Sequence, residues 1–417
     1  MARGMTQSEL AGSRCTKEYV SQIERGRAKP TAETLAYVAG RLGVDATYLE
    51  TGQTWNEYHA AEAAIARAEA AIERQDYTEA INCLEGIAYS PEAPELELRS
   101  RLAESWARMY VGEVRPAMTL LERARDLSEL ELFTDVERAE VLYRLGCCRY
   151  KLSSIDSARA LFTEALALAD RSGEPCDRLR SHTLEWRSRC WRRLRDFEAA
   201  REDIERALEL AAGLDDELTI AHVTFQASIV AERNGHWLRA RALAEQARSI
   251  YETFNDRQNV GRLQNNLGGL NYLLGNREDA VEHLKKAFAI ALDLGHDPDA
   301  AQAVSSLAQI NLGAGEYEQA EAQARHALRL LDARVDFLDE IGNAGIVLGR
   351  ALLGQGRFDQ ADAAFTEAEA ALTQLSSASH AAVAWTARGD LASARGDDRA
   401  AAALYKRAAE ALQDLRF

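Results

Sequence analysis

Apolar residues recur at three- and four-residue spacing along almost the whole chain, in stretches separated by short polar breaks, so the pattern predicts helices throughout. The first stretches are short. Thr6 is a good N-cap ahead of a helix over Gln7–Ala11, which Gly12 and Ser13 stop. Thr16 caps a second helix from Lys17 to Arg25. Its Val20 and Ile23 turn inward, Lys17, Glu18, Ser21 and Gln22 turn outward, and Gly26 ends it. Pro30 and Thr31 open a third helix, with Leu35, Val38, Ala39 and Leu42 on one face and Gly43 as its stop. A last short turn covers Asp45–Leu49. Two short helices joined by a tight turn, the second with a polar outward face, form a helix-turn-helix arrangement.

From Trp55 onward the pattern repeats itself. Ala80, Ala117, Ala158, Ala200, Ala240, Ala280, Ala320, Ala361 and Ala401 are spaced by 37, 41, 42, 40, 40, 40, 41 and 40 residues, which predicts nine helical hairpins. Twelve residues before each anchor stands a small residue, from Ala68 and Ser105 to Gly349 and Gly389. Seven residues after it stands alanine in every repeat but the first, where Ile87 replaces it. Small residues at fixed points let helices approach closely, while neighbours such as Leu284 and Phe365 fill the holes between them. Five residues before the anchor, Gly112, Gly235, Gly275, Gly315, Gly356 and Gly396 end the first helix of six hairpins with a residue that tolerates positive φ.

Charge separates the two regions. Residues 1–50 carry seven Lys or Arg against six Asp or Glu, whereas the other 367 carry 43 against 60. The formal net charge of -16 therefore belongs to the repeats, which excludes them as a bulk nucleic-acid surface. The longest apolar runs are broken by charges, and the residues after Met1 form no basic-then-apolar leader, so no membrane partner and a cytoplasmic location are expected. Six cysteines without a CxxC pair read as reduced thiols, and eight scattered histidines form no metal or catalytic motif. Neither an enzyme nor a cofactor is expected.

The segments "MTQSELA", "YVSQIERGRAKPTAETL" and "AGRLGV" resemble the phage-repressor-like helix-turn-helix family over roughly residues 4–45. That resemblance implies double-stranded DNA as partner. Thr16, Lys17, Glu18 and Gln22 would approach base edges, Ser21 with Arg25 or Arg27 the phosphate backbone, and Gln7 a phosphate or a neighbouring side chain. Two departures stand out. Seven residues rather than the usual eight separate Leu10-Ala11 from Tyr19-Val20-Ser21, which places Gly12 in the turn. The family also begins with a further helix, yet only Met1–Met5 precede Thr6, so the expected true start lies upstream of Met1.

The small-residue columns twelve and nineteen positions apart resemble tetratricopeptide repeats over residues 56–417. The usual first-helix tyrosine and closing proline are mostly absent, and forty residues replace the family's shorter repeat, which implies longer helices. The expected architecture is all-α: a helix-turn-helix domain over residues 1–52, its first helix missing, followed over 53–417 by a right-handed α-solenoid of about nine hairpins. In such a solenoid the first helices line a concave channel. Phased on the small-residue column, channel positions include Trp106, Met109, Tyr110, Tyr143, Cys147, Tyr150, Glu185, Arg189, Arg192, Arg193, Phe225, Glu232, Arg233, Asn265 and Tyr272. Arginine forks suit a carboxylate or phosphate, and asparagines can hold an extended peptide's backbone. The alternative is that the aromatics are core and the arginines pair with nearby Asp or Glu.

A phage-repressor-like reader joined to such an array resembles the peptide-sensing transcription regulators of bacterial quorum sensing. The resemblance implies a homodimer whose repeats take a short peptide, or another small effector, and set the spacing of two DNA-reading heads. The rival expectation is a protein-interaction scaffold with a vestigial head.

Overall fold

A computed structural model of the chain describes residues 5–51, 55–87, 89, 93–331, 337–375 and 378–413. All elements among those residues are α-helices. Four short ones come first: α1 (Gln7–Ala11), α2 (Lys17–Glu24), α3 (Ala32–Leu42) and α4 (Ala46–Thr51). Successive pairs follow, beginning with α5 (Trp55–Glu73) and α6 (Tyr77–Leu84), α7 (Pro94–Tyr110) and α8 (Val114–Ser128), and α9 (Asp135–Lys151) and α10 (Ile155–Arg171). Next are α11 (Asp177–Arg193) and α12 (Phe197–Ala212), α13 (Glu217–Arg233) and α14 (Trp237–Thr253), and α15 (Arg257–Leu273) and α16 (Arg277–Asp293). The last are α17 (Asp297–Gly313) and α18 (Tyr317–Leu330), α19 (Leu338–Gly354) and α20 (Phe358–Leu372), and α21 (Ala378–Ala394) and α22 (Asp398–Gln413). The chain divides within α9 into two compact units, Met1–Cys148 and Arg149–Phe417.

The local signals of the first unit act as anticipated. Thr6 and Glu9 form a reciprocal capping box on α1, and Thr16 caps α2 by accepting the Tyr19 amide at 3.2 Å. Arg25 is the C-cap of α2 rather than its last turn, and Thr31 rather than Pro30 marks the entry to α3. Gly12 turns the chain at φ 54°, where an added Cβ would lie 2.2 Å from the Tyr37 hydroxyl, so the shortened turn requires glycine twice over. Leu10, Ala11 and Val20 are buried, with Cys15, Val38 and Leu42 packed on them. Met1–Gly4, on which the expected upstream start bears, lie outside the described residues.

Repeat columns become packing contacts. Every anchor alanine from Ala80 to Ala401 is buried. A Cβ on Gly349 would approach Phe365 Cε1 to 2.3 Å, and one on Gly268 would approach Leu284 Cγ to 2.6 Å, so the large side chains occupy the space that the small column leaves. In the second unit α11, α13, α15, α17 and α19 each pack against their own hairpin partner and against the first helix of the next pair. The position five residues before the anchor has positive φ in all nine repeats: glycine in six, but Gln75 (61°), Ser153 (58°) and Arg195 (62°) in the others. A non-glycine residue there costs about 1–2 kcal/mol, and the hairpin geometry imposes it.

Candidate functional site

The outward face of α2 is the first candidate. Lys17, Glu18, Gln22, Arg25 and Arg27 are exposed and Ser21 is half-buried; among the described residues none makes a side-chain hydrogen bond or ion pair. Thr16 is committed to its cap through its lone pair, which leaves its proton free to donate. Gln7 is not free: its Nε2 donates to Glu24 Oε2 at 2.6 Å and ties the start of α1 to the end of α2. Arg14 pairs with Glu33 at 2.9 Å, and the guanidiniums of Arg14 and Arg41 both lie 5.8 Å from the Tyr37 ring centre. The start of α1 is thereby tied to the end of α2 and the turn between them to α3, while the polar face of α2 stays exposed.

In the first unit the aromatic residues satisfy one another. Trp106 meets Tyr110 edge-on at 5.3 Å and Tyr143 at 5.9 Å, and Tyr110 stacks on Tyr77 at 4.6 Å with only 8° between planes. The Arg144 guanidinium lies 5.1 Å from the Trp106 ring centre, while its Nη1 donates to the Leu102 carbonyl at 2.7 Å. Met109, Tyr143 and Cys147, expected to face a channel, are buried instead. Helical phase gives only a direction from the helix axis, and in the directions of these three residues other side chains cover them.

The arginines of the second unit differ among themselves. Arg189 donates to the buried Glu185 carboxylate one turn away, and its guanidinium lies 4.3 Å from the Trp186 ring centre. Burial pushes the Glu185 carboxyl up, against the pull of Arg189. Arg193 reaches from α11 to α19, where Nη1 meets Asp339 Oδ2 at 2.9 Å, and its guanidinium lies 5.9 Å from the ring centre of Tyr150. Tyr150 itself packs edge-on against Trp186 at 5.5 Å. Burial works to raise Asp339, but its hydrogen bond with Glu340 and the nearby Arg193 outweigh it and hold the carboxyl low. Glu340 goes the opposite way, raised by burial, by its bond with Asp339 and by that residue's charge. The pair thus shares one negative charge opposite Arg193.

Arg192 and Arg233 stand apart. Arg192 has one hydrogen bond, from Nη2 to the Gln226 side-chain carbonyl at 3.2 Å, and its Nε is sealed from water without a partner. Burial pushes this guanidinium down to about 10, and the neighbouring Arg189 and Arg233 add to the effect while Tyr150 opposes it. Arg233, at the end of α13, is exposed and has no ion pair among the described residues. Glu232 accepts from Asn266 Nδ2 at 3.2 Å, and burial pushes its carboxyl up against the pull of the nearby Arg233 and Arg192.

The remaining expected residues do not join this group. Phe225 packs against the core formed by Ala244, Ala247 and Leu263. Asn265, its Oδ1 buried and without a partner, lines a separate small recess with Gln258, Arg262, Asp299 and Gln302. Tyr272 is half-exposed, and its hydroxyl occupies the space beside Gly313. Gln226, Asp339 and Glu340 were not anticipated. Asp339 and Glu340 sit in the first turn of a helix 146 residues beyond Arg193, and only the accumulated curvature of four repeats brings them together. His182 and His222, scattered in the sequence, are linked to Thr219 and Tyr251, and burial holds them down to about 3 and about 4, so both stay neutral. The described residues contain no group of three or more His, Cys, Asp or Glu placed to hold a metal, and no helix long and apolar enough to cross a membrane.

Residues 1–49 match a helix-turn-helix family, and residues 259–333 and 346–415 match tetratricopeptide-repeat families. No curated protein matches the chain. Among solved structures, a Rap protein complexed with Competence and Sporulation Factor is similar at a TM-score of 0.61 and 15% identity, over 85% of this chain and 98% of that one. The apo form of RapI is similar at 0.51 and 14% identity, over 76% and 98%. A Bacillus thuringiensis PlcR in complex with the peptide PapR7 and DNA reaches 0.43 and 12% identity, over 61% and 91%. The first two likenesses establish a shared repeat fold.

Proposed function

We propose that this chain, a helix-turn-helix module followed by tetratricopeptide repeats, is a DNA-binding regulator whose repeats sense a ligand. The observation that carries the reading is the exposed, unpartnered face of α2, held in place by the cap of Thr16 and the Gln7–Glu24 bond. Lys17 and Gln22 supply donors that suit purine edges in a major groove, and Ser21, Arg25 and Arg27 suit flanking phosphates. With seven basic against six acidic residues in its first fifty, a single head has little electrostatic affinity for DNA. Two heads on a homodimer overcome that weakness when they match half-sites about 34–36 Å apart, or a multiple of that spacing. A short peptide or other small effector held by first-helix residues of the repeats would then alter the spacing. That the similar Rap protein was solved complexed with Competence and Sporulation Factor supports assigning the sensing role to the repeats.

Fluorescence anisotropy of the full chain against its own promoter DNA and against random DNA tests the reading. The expected result is a salt-dependent preference for the promoter, weakened about tenfold or more by Gln22→Ala. Equal affinity for both DNAs across the salt range would overturn it and favour a protein-interaction scaffold.

A further inference from the structure

A guanidinium removed from water needs its five donors met, and a cation there needs an ion pair. Arg192 has neither. Its Nε is buried without a partner, and its one acceptor is the neutral carbonyl of Gln226. The carboxylates near it serve other hydrogen-bond partners: Glu185 accepts from Arg189, Glu232 from Asn266, and Asp339 from Arg193, so Glu185 and Glu232 act on Arg192 only through their charge. Arg233 comes close enough to act electrostatically on Arg192, yet it too has no ion pair among the described residues. Two cations from neighbouring first helices, one recessed and one exposed, thus stand without an ion pair in a chain whose net charge is -16.

We infer that Arg192 and Arg233 form a receptor for an anionic group of the ligand, a carboxylate or a phosphate, with Arg233 as the entrance and Arg192 as the inner contact. The inference rests on the reading of the repeats as a ligand sensor. An incoming anion supplies the ion pair that neither arginine has and accepts from the idle donors, and both anion types match the planar fork of arginine. Arg193 is excluded from the receptor because Asp339 already occupies it.

Isothermal titration of the full chain, without DNA, tests this with two defined probes, glutarate and inorganic phosphate, at constant ionic strength set by chloride. At least one probe is expected to bind. Its affinity should fall about tenfold or more in Arg233→Gln and in Arg192→Gln, and should be unchanged in Arg277→Gln, whose exposed guanidinium is paired with Glu316 in the same unit. Because Arg233 is exposed, its variant folds whether or not that of Arg192 does. Binding of glutarate alone identifies a carboxylate ligand, binding of phosphate alone a phosphate ligand, and binding of both the shared chemistry. No binding of either, or equal weakening by Arg277→Gln, overturns the inference. Promoter preference in the anisotropy experiment would survive that result, so the two readings fail separately.

Discussion

Trp106, Tyr110 and Tyr143 in the first unit and Arg189, Arg192, Arg193 and Arg233 in the second come from the same small set of first-helix positions, those expected to face a channel, and they end in opposite conditions. The aromatics complete one another, ring on ring, with Arg144 over Trp106. The arginines are only half completed: Arg189 and Arg193 have carboxylates, while Arg192 and Arg233 do not. Repeat position thus fixes where a side chain stands, and the chemistry of its immediate neighbours decides whether it becomes structure or remains available for binding. A column of equivalent residues is not a column of equivalent roles.

Three substitutions can break or sharpen that contrast. If the aromatics are structural, Trp106→Ala should have the largest effect, lowering stability by about 3 kcal/mol in a denaturant titration, since it removes a large packed ring with its two ring contacts and its contact with Arg144. A loss below about 1 kcal/mol would move Trp106 to the binding side of the comparison. Glu340→Gln probes the completed arginine. The folded state keeps the Glu340 carboxyl protonated above its ordinary 4.5, while the unfolded chain releases the proton there. Stability is therefore lost as pH rises above that value, and the amide, which cannot ionise, removes the loss. Thermal melts should show the variant about 1 kcal/mol more stable than the parent at pH 8 and equal to it at pH 4. Equality at both values would mean that the carboxyl is ionised in the fold. Arg233→Gln should have the smallest effect, within about 0.5 kcal/mol, because an exposed and unpaired cation holds nothing together. A larger loss in the same titration would make Arg233 a structural residue.

Much of this was legible from the sequence. Caps and glycine stops located α1 to within a residue, because each acts through bonds three or four positions away. The alanine columns located the hairpins, since close approach of helices demands small residues whatever surrounds them. The left-handed joints at Gln75, Ser153 and Arg195 were hidden, because nothing in those residues asks for positive φ; the neighbouring helices impose it. The burial of Tyr143 and Cys147 was hidden for a related reason. Helical phase reports direction from one axis, whereas exposure depends on which neighbours lie in that direction. Arg193 was legible as a candidate but its partner was not, since Asp339 follows from curvature that no local pattern records.

That contact has a consequence for how the second unit assembles. Stacked repeats ordinarily fold as a one-dimensional array, each hairpin stabilised by the next, so that ends fray and nucleation can begin anywhere. A bond between residues 146 apart adds a long-range link to this near-neighbour scheme. It forms only after the intervening hairpins have stacked, and it must break before any one of them can leave the stack alone. Residues 193–339 should therefore exchange their amide hydrogens as one cooperative block, while the hairpins beyond them open by degrees.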